Sequence, residues 1–383
     1  MTTTNPILEI EKQYGQSIWM DNLNRDLIQS GELKELISSR GIQGITSNPA
    51  IFEKAIKGNK IYDQDIETGI KAKKSVLEIY ESLVFEDIRN ACDIFKPIYE
   101  ETNKLDGYVS IEVPPNMAKD TESTIAEARR YFQTLERPNV MIKIPGTKEG
   151  LPAFETAISE GINVNVTLLF SVDSYVNTAW GYIRGLEKRA AEGKDISNIA
   201  SVASFFLSRI DSNIDDRIDA KLAQGVDTIE QEVRLREIKG KVAIANAKIA
   251  YQKYKEIYSS DRWQALASKG AKVQRLLWAS TSTKNPDYSD VMYVDELVGP
   301  DTVNTLPPAT IEACADHCHP GSRIETDVDQ AYKLIDSLKD PDININLDEV
   351  MDELLEEGID KFIKPFESLI SSLAEKVNHL ATV

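Results

Sequence analysis

Cysteine is scarce in this chain: three in 383 residues (Cys92, Cys314 and Cys318), an odd count with no repeating spacing. That excludes a disulfide framework and points to a reducing compartment. No apolar run approaches the ~18 residues that a membrane span requires, so no membrane partner is expected. The opening Met1-Thr2-Thr3-Thr4-Asn5-Pro6 lacks a basic segment followed by an apolar stretch and is poor in arginine, which argues against a signal or transit peptide. Together these absences predict a cytoplasmic protein. Positive charge is also short, with 44 basic side chains against 62 acidic ones for a net charge of −18. A nucleic-acid surface needs a basic face, so this balance argues against one and no nucleic-acid partner is expected. An anionic substrate is not excluded, since one local pair of cations can hold a phosphate within an acidic protein.

What the chain has instead is regular alternation. Apolar residues at 42% and charged residues at 28% are the ordinary balance of a globular protein able to bury a sizeable core. Short β-branched runs alternate with helical patterns, without low complexity or a Gly/Ser linker. The runs lie at 17–22, 44–49, 107–113, 140–147, 161–170, 201–209, 272–280 and, most weakly, 302–305. Helices are expected over 25–39, 121–135 (opening at Thr121-Glu122-Ser123-Thr124), 150–159 and 172–191. About eight such units predict an α/β fold, a (β/α)8 TIM barrel forming one domain over residues 1–383. Helical insertions at about 50–105 and 211–269, with a helical tail at about 347–380, account for the extra length.

The most informative run is Val140-Met141-Ile142-Lys143-Ile144-Pro145-Gly146-Thr147, with a lysine among apolar neighbours. An unpaired ammonium loses most of its solvation in such a place, and burial favours the neutral amine, the nucleophile of Schiff-base chemistry. On the solvated face of an edge strand, or snorkelling to the rim, the same lysine would do no chemistry. The other strands shift the balance. Side chains alternate faces along a strand, so period-two neighbours near each C-terminal end share a side. One side carries Asp21 with Trp19, Thr46 with Asn48, Ser110 with Glu112, and Lys143 with Met141. It continues with Asn163, Asn165 and Thr167, then Ser204 and Phe206 with Arg209 just beyond, and ends at Ser280. In a barrel these ends converge on the mouth, where active sites lie. A core built only for stability does not need them, whereas an amine, two carboxylates, amides and hydroxyls suit imine chemistry.

Three blocks, Gly44-Ile45-Thr46-Ser47-Asn48-Pro49, Met141-Ile142-Lys143-Ile144-Pro145-Gly146-Thr147 and Gly161-Ile162-Asn163-Val164-Asn165-Val166-Thr167-Leu168-Leu169-Phe170, resemble the signatures of the transaldolase family. The likeness runs from Trp19 to roughly Asp340. The long insertions, with Ala279-Ser280-Thr281-Ser282-Thr283-Lys284-Asn285-Pro286, are similar to its longer bacterial and plant-like branch. The resemblance implies a class I aldolase barrel, circularly permuted relative to other class I aldolases, that moves a dihydroxyacetone unit between sugar phosphates in the pentose phosphate pathway. It also implies roles. Lys143 matches the Schiff-base lysine, and Asp21 the aspartate that takes the C4 hydroxyl proton during cleavage. Glu112, with Thr167, matches the pair that works through a water in imine formation and hydrolysis. Asn48 and Asn165 match the amides that hold the dihydroxyacetone hydroxyls, with Ser204 and Thr46 near them and Phe206 beside the substrate. Arg209 matches the phosphate arginine, whose planar fork suits a pair of phosphate oxygens. Where the shorter branch has a second phosphate arginine after the serine matching Ser280, this chain reads Thr281-Ser282-Thr283-Lys284, which makes Lys284 the candidate substitute. No metal or organic cofactor is implied, because the iminium itself is the electron sink.

Plainer readings stand beside these roles. Asp21 suits an N-cap, Glu112 beside Pro114-Pro115 a rim carboxylate paired with a surface lysine, Asn48 before Pro49 a turn, and Trp19, Phe206 and Trp278 packing. Cys314, His317, Cys318 and His319 have metal-ligand side chains but no second ligand group at finger spacing, so no metal is expected. The acidic segment 348–360 lacks calcium-loop spacing and reads as a solvated helix face. The nearest rival activity is the related fructose-6-phosphate aldolase, which releases free dihydroxyacetone and carries glutamine and tyrosine where this chain has Glu112 and Phe206. A barrel without activity, serving as a helical interaction surface, is the rival of another class. The oligomeric state stays open.

Overall fold

The computed structural model describes residues 5–381. Eight parallel strands close on themselves in chain order: β1 (Gln16–Asp21), β2 (Ile45–Thr46), β3 (Val109–Glu112), β4 (Val140–Pro145), β5 (Val164–Leu169), β6 (Ser201–Phe206), β7 (Arg275–Ala279) and β8 (Thr302–Leu306). β8 pairs back onto β1, so the fold is the (β/α)8 barrel that the alternation predicts. Every residue of β3 to β8 is buried, as expected of parallel strands covered by helices outside and side chains inside.

Register is what builds the site. Glu112 lies opposite Lys143, Lys143 opposite Asn165, and Asp21 opposite Thr46. Slipping β4 by one residue would turn its lysine toward the helix layer. Deeper in the barrel, Asp106 accepts hydrogen bonds from Ser17 Oγ (2.7 Å), Trp19 Nε1 (2.9 Å) and Arg275 Nη2 (2.9 Å). This buried ion pair is well bonded, the condition under which the interior tolerates one. Trp19 is thus a packing residue with its indole N–H satisfied.

One expected boundary differs for a local reason. The helix expected over 25–39 is two helices, Arg25–Gln29 and Glu32–Arg40, because Gly31 between them takes φ 86° and interrupts the ladder. The helix Thr121–Leu135 has its expected bounds and is capped by Asp120, whose side chain accepts from the Ser123 N–H. Helices Pro6–Tyr14 and Val328–Ser337 have no counterpart in the sequence reading. Between β2 and β3 lie Pro49–Ile56, Asp63–Lys71 and Val76–Glu101. Between β6 and β7 lie Ser208–Gln224, Ile229–Ile238, Val242–Tyr258 and Asp261–Ala267. The tail is a single helix, Leu347–Ala381, that runs through Pro365. It packs on Pro49–Ile56, on the 3-10 turn Pro115–Met117, on β5 and on Ser208–Gln224, which lays it across one side of the barrel mouth. Among the described residues, no helix is long and apolar enough to cross a membrane.

Candidate active site

A cavity of about 450 Å³ opens at the C-terminal ends of the strands. Asp21, Thr46, Asn48, Lys143, Thr167, Ser204, Phe206, Arg209, Ser280 and Lys284 all line it. The other two predicted residues lie behind its wall. Glu112 reaches Lys143 from the side, and Asn165 is fully buried under the floor.

Lys143 is 5% exposed on β4, which runs between β3 and β5 inside a closed sheet, so the edge-strand reading does not apply. Its Nζ donates to the Ser47 carbonyl oxygen at 2.8 Å and lies 3.1 Å from Glu112 Oε1. The Glu112 contact is an ion pair out of hydrogen-bond alignment. Neither carboxylate oxygen of Glu112 accepts an aligned hydrogen bond from a described residue, and the buried Thr167 Oγ1 has no partner among them either. Buried polar atoms left this way are rare, and they concentrate where chemistry or a water must come. Glu112 backs onto Tyr80, Tyr131 and Phe366, so it is a buried carboxylate and not a rim residue paired with a surface lysine.

Burial pushes the Glu112 carboxyl above its ordinary range, opposed by the charge of Lys143. Burial likewise raises Asp21, opposed by Lys143, by a hydrogen bond from Thr46 Oγ1 (2.8 Å) and by Arg209. Both carboxylates are raised by loss of solvent and feel the charge of the same amine, so each holds a proton more readily than an exposed carboxylate does, as a group exchanging protons with a substrate must. Asp21 caps no helix: the next one starts at Asn24, whose side chain accepts from the Leu27 N–H.

The polar floor is cross-linked. Ser204 Oγ donates to Asn165 Oδ1 at 2.6 Å, and Asn165 Nδ2 donates to Ser110 Oγ at 3.1 Å. Asn165 therefore holds Ser204 in place from below. Asn48 shapes no turn but caps a helix: its backbone is extended and its Oδ1 accepts from the Ile51 N–H (3.0 Å) at the start of Pro49–Ile56, while the residue also lines the cavity. Thr46 Oγ1 also lies 2.6 Å from Thr305 Oγ1 on β8.

At the outer end, Arg209 stands in the first turn of Ser208–Gln224, its guanidinium 5.2 Å from the Phe206 ring centre. Its Nη1 is buried with no hydrogen-bond partner among the described residues. Burial lowers the Arg209 pKa, opposed by Glu357, Asp21 and Glu112. Lys284 is exposed, donates to Ser282 Oγ at 2.6 Å, and is lowered by partial burial and by repulsion from Arg209. Two cations lining one cavity, one with an idle buried donor, are an arrangement able to receive an anion. Ser280 adopts φ 54°, held there by Ser208, whose Oγ lies 2.8 Å from Ser280 Oγ and whose N–H donates to its carbonyl oxygen at 3.0 Å. Leu168, at the irregularity of β5, takes φ 60°. Left-handed non-glycine residues cost about 1–3 kcal/mol each and persist where surrounding structure over-determines them.

Sequence reasoning missed Asn22, Lys54, Thr305 and Phe362, all of which line the cavity. Thr305 carried the signal used elsewhere, a polar residue at a strand's C-terminal end. Phe362 carried none beyond an apolar stripe in the tail. Phe206 packs at 5.3 Å on Phe170 while facing the cavity, and Trp278 packs edge-on to Phe205. Among the described residues, no group of three or more His, Cys, Asp or Glu side chains is placed to hold a metal. His317 instead contacts Asp290 and Asp316, and Cys92, Cys314 and Cys318 are buried free thiols.

A family model described as transaldolase/fructose-6-phosphate aldolase matches residues 18–373. Transaldolase 2 of Nostoc sp. is 73% identical over 379 residues, 99% of each chain. Transaldolase 2 of Nostoc punctiforme is 72% identical over 381 residues, 100% of each chain. The transaldolase of Saccharopolyspora erythraea is 46% identical over 377 residues, 98% of this chain and 99% of its own.

Proposed function

Since the chain belongs to the transaldolase/fructose-6-phosphate aldolase family, we propose that its reaction runs at Lys143, on the floor of the mouth cavity. The activity is that of a transaldolase, an enzyme transferring ketol groups between sugar phosphates. A dihydroxyacetone unit passes from sedoheptulose 7-phosphate to glyceraldehyde 3-phosphate, giving erythrose 4-phosphate and fructose 6-phosphate in the pentose phosphate pathway.

In the proposed sequence, Lys143 Nζ adds to the ketose carbonyl and water leaves, forming an iminium. Glu112 and Thr167 handle the proton and that water, a role supported by Glu112 Oε1 lying 3.1 Å from Lys143 Nζ and by the buried Thr167 Oγ1, which has no hydrogen-bond partner among the described residues. Asp21 takes the C4 hydroxyl proton, the C3–C4 bond breaks, and its electron pair flows into the iminium. The aldehyde product departs, the acceptor aldehyde takes its place, and the steps reverse. Asn48, Ser204 and Thr46 hold the hydroxyls of the three-carbon unit, with Asn165 acting through Ser204. Phe206, Arg209, Ser280 and Lys284 form the outer wall, where the two cations take the phosphate. One barrel domain, residues 1–383, carries this chemistry, with the helices at about 50–105, 211–269 and 347–380 built onto it. Three unpaired thiols support a cytoplasmic location.

The observation that carries this reading is the 5%-exposed amine of Lys143, 3.1 Å from one raised carboxylate and sharing its cavity with another. Borohydride reduction in the presence of fructose 6-phosphate, followed by peptide mass mapping, tests it. A reduced dihydroxyacetone adduct on Lys143 is expected. An adduct on a different lysine, or none in folded protein, would return Lys143 to a structural role. Phe206 and Glu112 favour transfer over aldolase activity, so three-carbon transfer is expected to depend on added acceptor aldehyde.

A further inference from the structure

The Schiff-base reading leaves one wall of the cavity without a role. The ring of Phe362, on the tail helix Leu347–Ala381, faces Lys143 with its centroid 5.7 Å from Nζ. Phe362 is itself only 5% exposed and lines the cavity. The helix is brought this close by Gly358: a Cβ there would sit 2.7 Å from Leu168 Cδ2 at the irregular end of β5. It is pinned on both sides of the mouth. Lys119, beyond β3, bonds Glu356 at 2.7 Å, and Arg217, on the helix after β6, bonds Glu353 at 2.5 Å. Further along, Ser368 Oγ donates to Glu53 Oε1 at 2.5 Å, and Lys376 pairs with Asp63. Glu53 and Asp63 belong to the helices inserted between β2 and β3, so that insertion is the seat of the tail helix.

Resting on that reading, we propose that Phe362 is a specificity-determining residue that keeps water from the three-carbon intermediate and so commits the enzyme to transfer. After C–C cleavage the unit stays on Lys143 as an enamine. Its release as free dihydroxyacetone takes two steps. The nucleophilic carbon gains a proton, which restores the iminium. Water then adds to C2 and the C2–N bond breaks, returning the Lys143 amine. Productive transfer instead forms a C–C bond to the acceptor carbonyl before any proton arrives. With the departed aldehyde's space open to solvent on one side, the tail-helix side has to stay dry, and an aromatic face does this while favouring the cationic nitrogen of the iminium.

The test is a partition ratio in one tube: free dihydroxyacetone released per three-carbon unit transferred, with fructose 6-phosphate as donor and erythrose 4-phosphate as acceptor. The ratio is independent of the folded fraction. Phe362→Ala makes room for water, at roughly 30 Å³ each, and is expected to raise the ratio about tenfold or more, a barrier change of ~1.4 kcal/mol. Phe362→Leu keeps most of the bulk and is expected to raise it less. Lys119→Ala with Arg217→Ala, which touches no core residue, loosens the helix from outside and is expected to raise it about two- to fivefold. An unchanged ratio in Phe362→Leu and the surface variant, with transfer slowed or not, overturns the proposal. Wild-type enzyme that transfers and traps on Lys143 while these ratios stay flat refutes only the role of Phe362. Wild-type enzyme that fails to trap on Lys143 refutes both readings.

Discussion

Replacing the two cations at the outer end of the cavity separately gives a quantitative test, because the structure makes them unequal. Arg209 Nη1 is shielded from solvent with no hydrogen-bond partner among the described residues, whereas Lys284 is exposed and already bonded to Ser282. A charge-assisted hydrogen bond to a group out of water is worth ~1.5–3 kcal/mol. An exposed ion pair is worth ~0.2–1 kcal/mol. With every ~1.4 kcal/mol a factor of ten, Arg209→Gln should lower kcat/KM for fructose 6-phosphate roughly 10- to 150-fold, and Lys284→Ala only about 1.4- to 5-fold. The assay is coupled steady-state transfer with erythrose 4-phosphate as acceptor, repeated with unphosphorylated fructose as donor. Donor phosphate contacts vanish with fructose, so the Arg209→Gln penalty should shrink toward unity there. An equal penalty on both donors would mean that Arg209 shapes the cavity and does not hold phosphate. A Lys284→Ala penalty as large as that of Arg209→Gln would refute the ranking drawn from exposure.

Asp21→Asn should abolish C–C cleavage and yet stabilise the protein. Burial raises the folded-state pKa of Asp21 above its unfolded value, so the native form binds the extra proton and stability falls as pH rises from the ordinary carboxylate range through the raised value. Melting temperatures recorded from pH 4 to pH 8 should therefore show a wild-type decline that is shallower in the Asp21→Asn variant, and parallel curves would refute the account. Tyr293→Phe removes the hydroxyl that donates to Asp211 Oδ2 at 2.6 Å, leaving a buried carboxylate oxygen unpaired. The expected loss is about 1–3 kcal/mol. Burial pushes Asp211 up to about 6, so the loss should be larger above that pH, where the carboxylate is charged, and urea titrations at pH 5 and pH 8 would reveal a reversed order.

The barrel was legible because its evidence is local. Short β-branched runs and polar residues at period two report directly on a buried strand with a functional end, which is how Asp21, Thr46, Lys143 and Ser204 could be placed together. Arg209 was visible only as a residue just past a strand, although it stands in the first turn of a helix. Asn165 obeyed the period-two rule and still lies below the cavity, because face does not specify depth along the barrel axis. Phe362 was invisible for a physical reason: it is brought to Lys143 by a helix crossing of more than two hundred residues' separation, and no spacing in the chain encodes that. The split at Gly31 was a missed turn, since a glycine inside a helical pattern is read too easily as tolerated.

The pairing of β1 with β8 has a consequence in time. Gln16–Met20 bond to Thr302–Leu306, so the sheet cannot close until almost the whole chain has left the ribosome. Until then β1, with Asp21 at its tip, waits as an unpaired edge, the kind of surface that invites wrong partners. Chains whose contacts span such distances fold slowly. During synthesis this protein therefore passes through a long interval in which the strands of Asp21 and Lys143 both exist without the closed barrel that brings the two residues to one cavity.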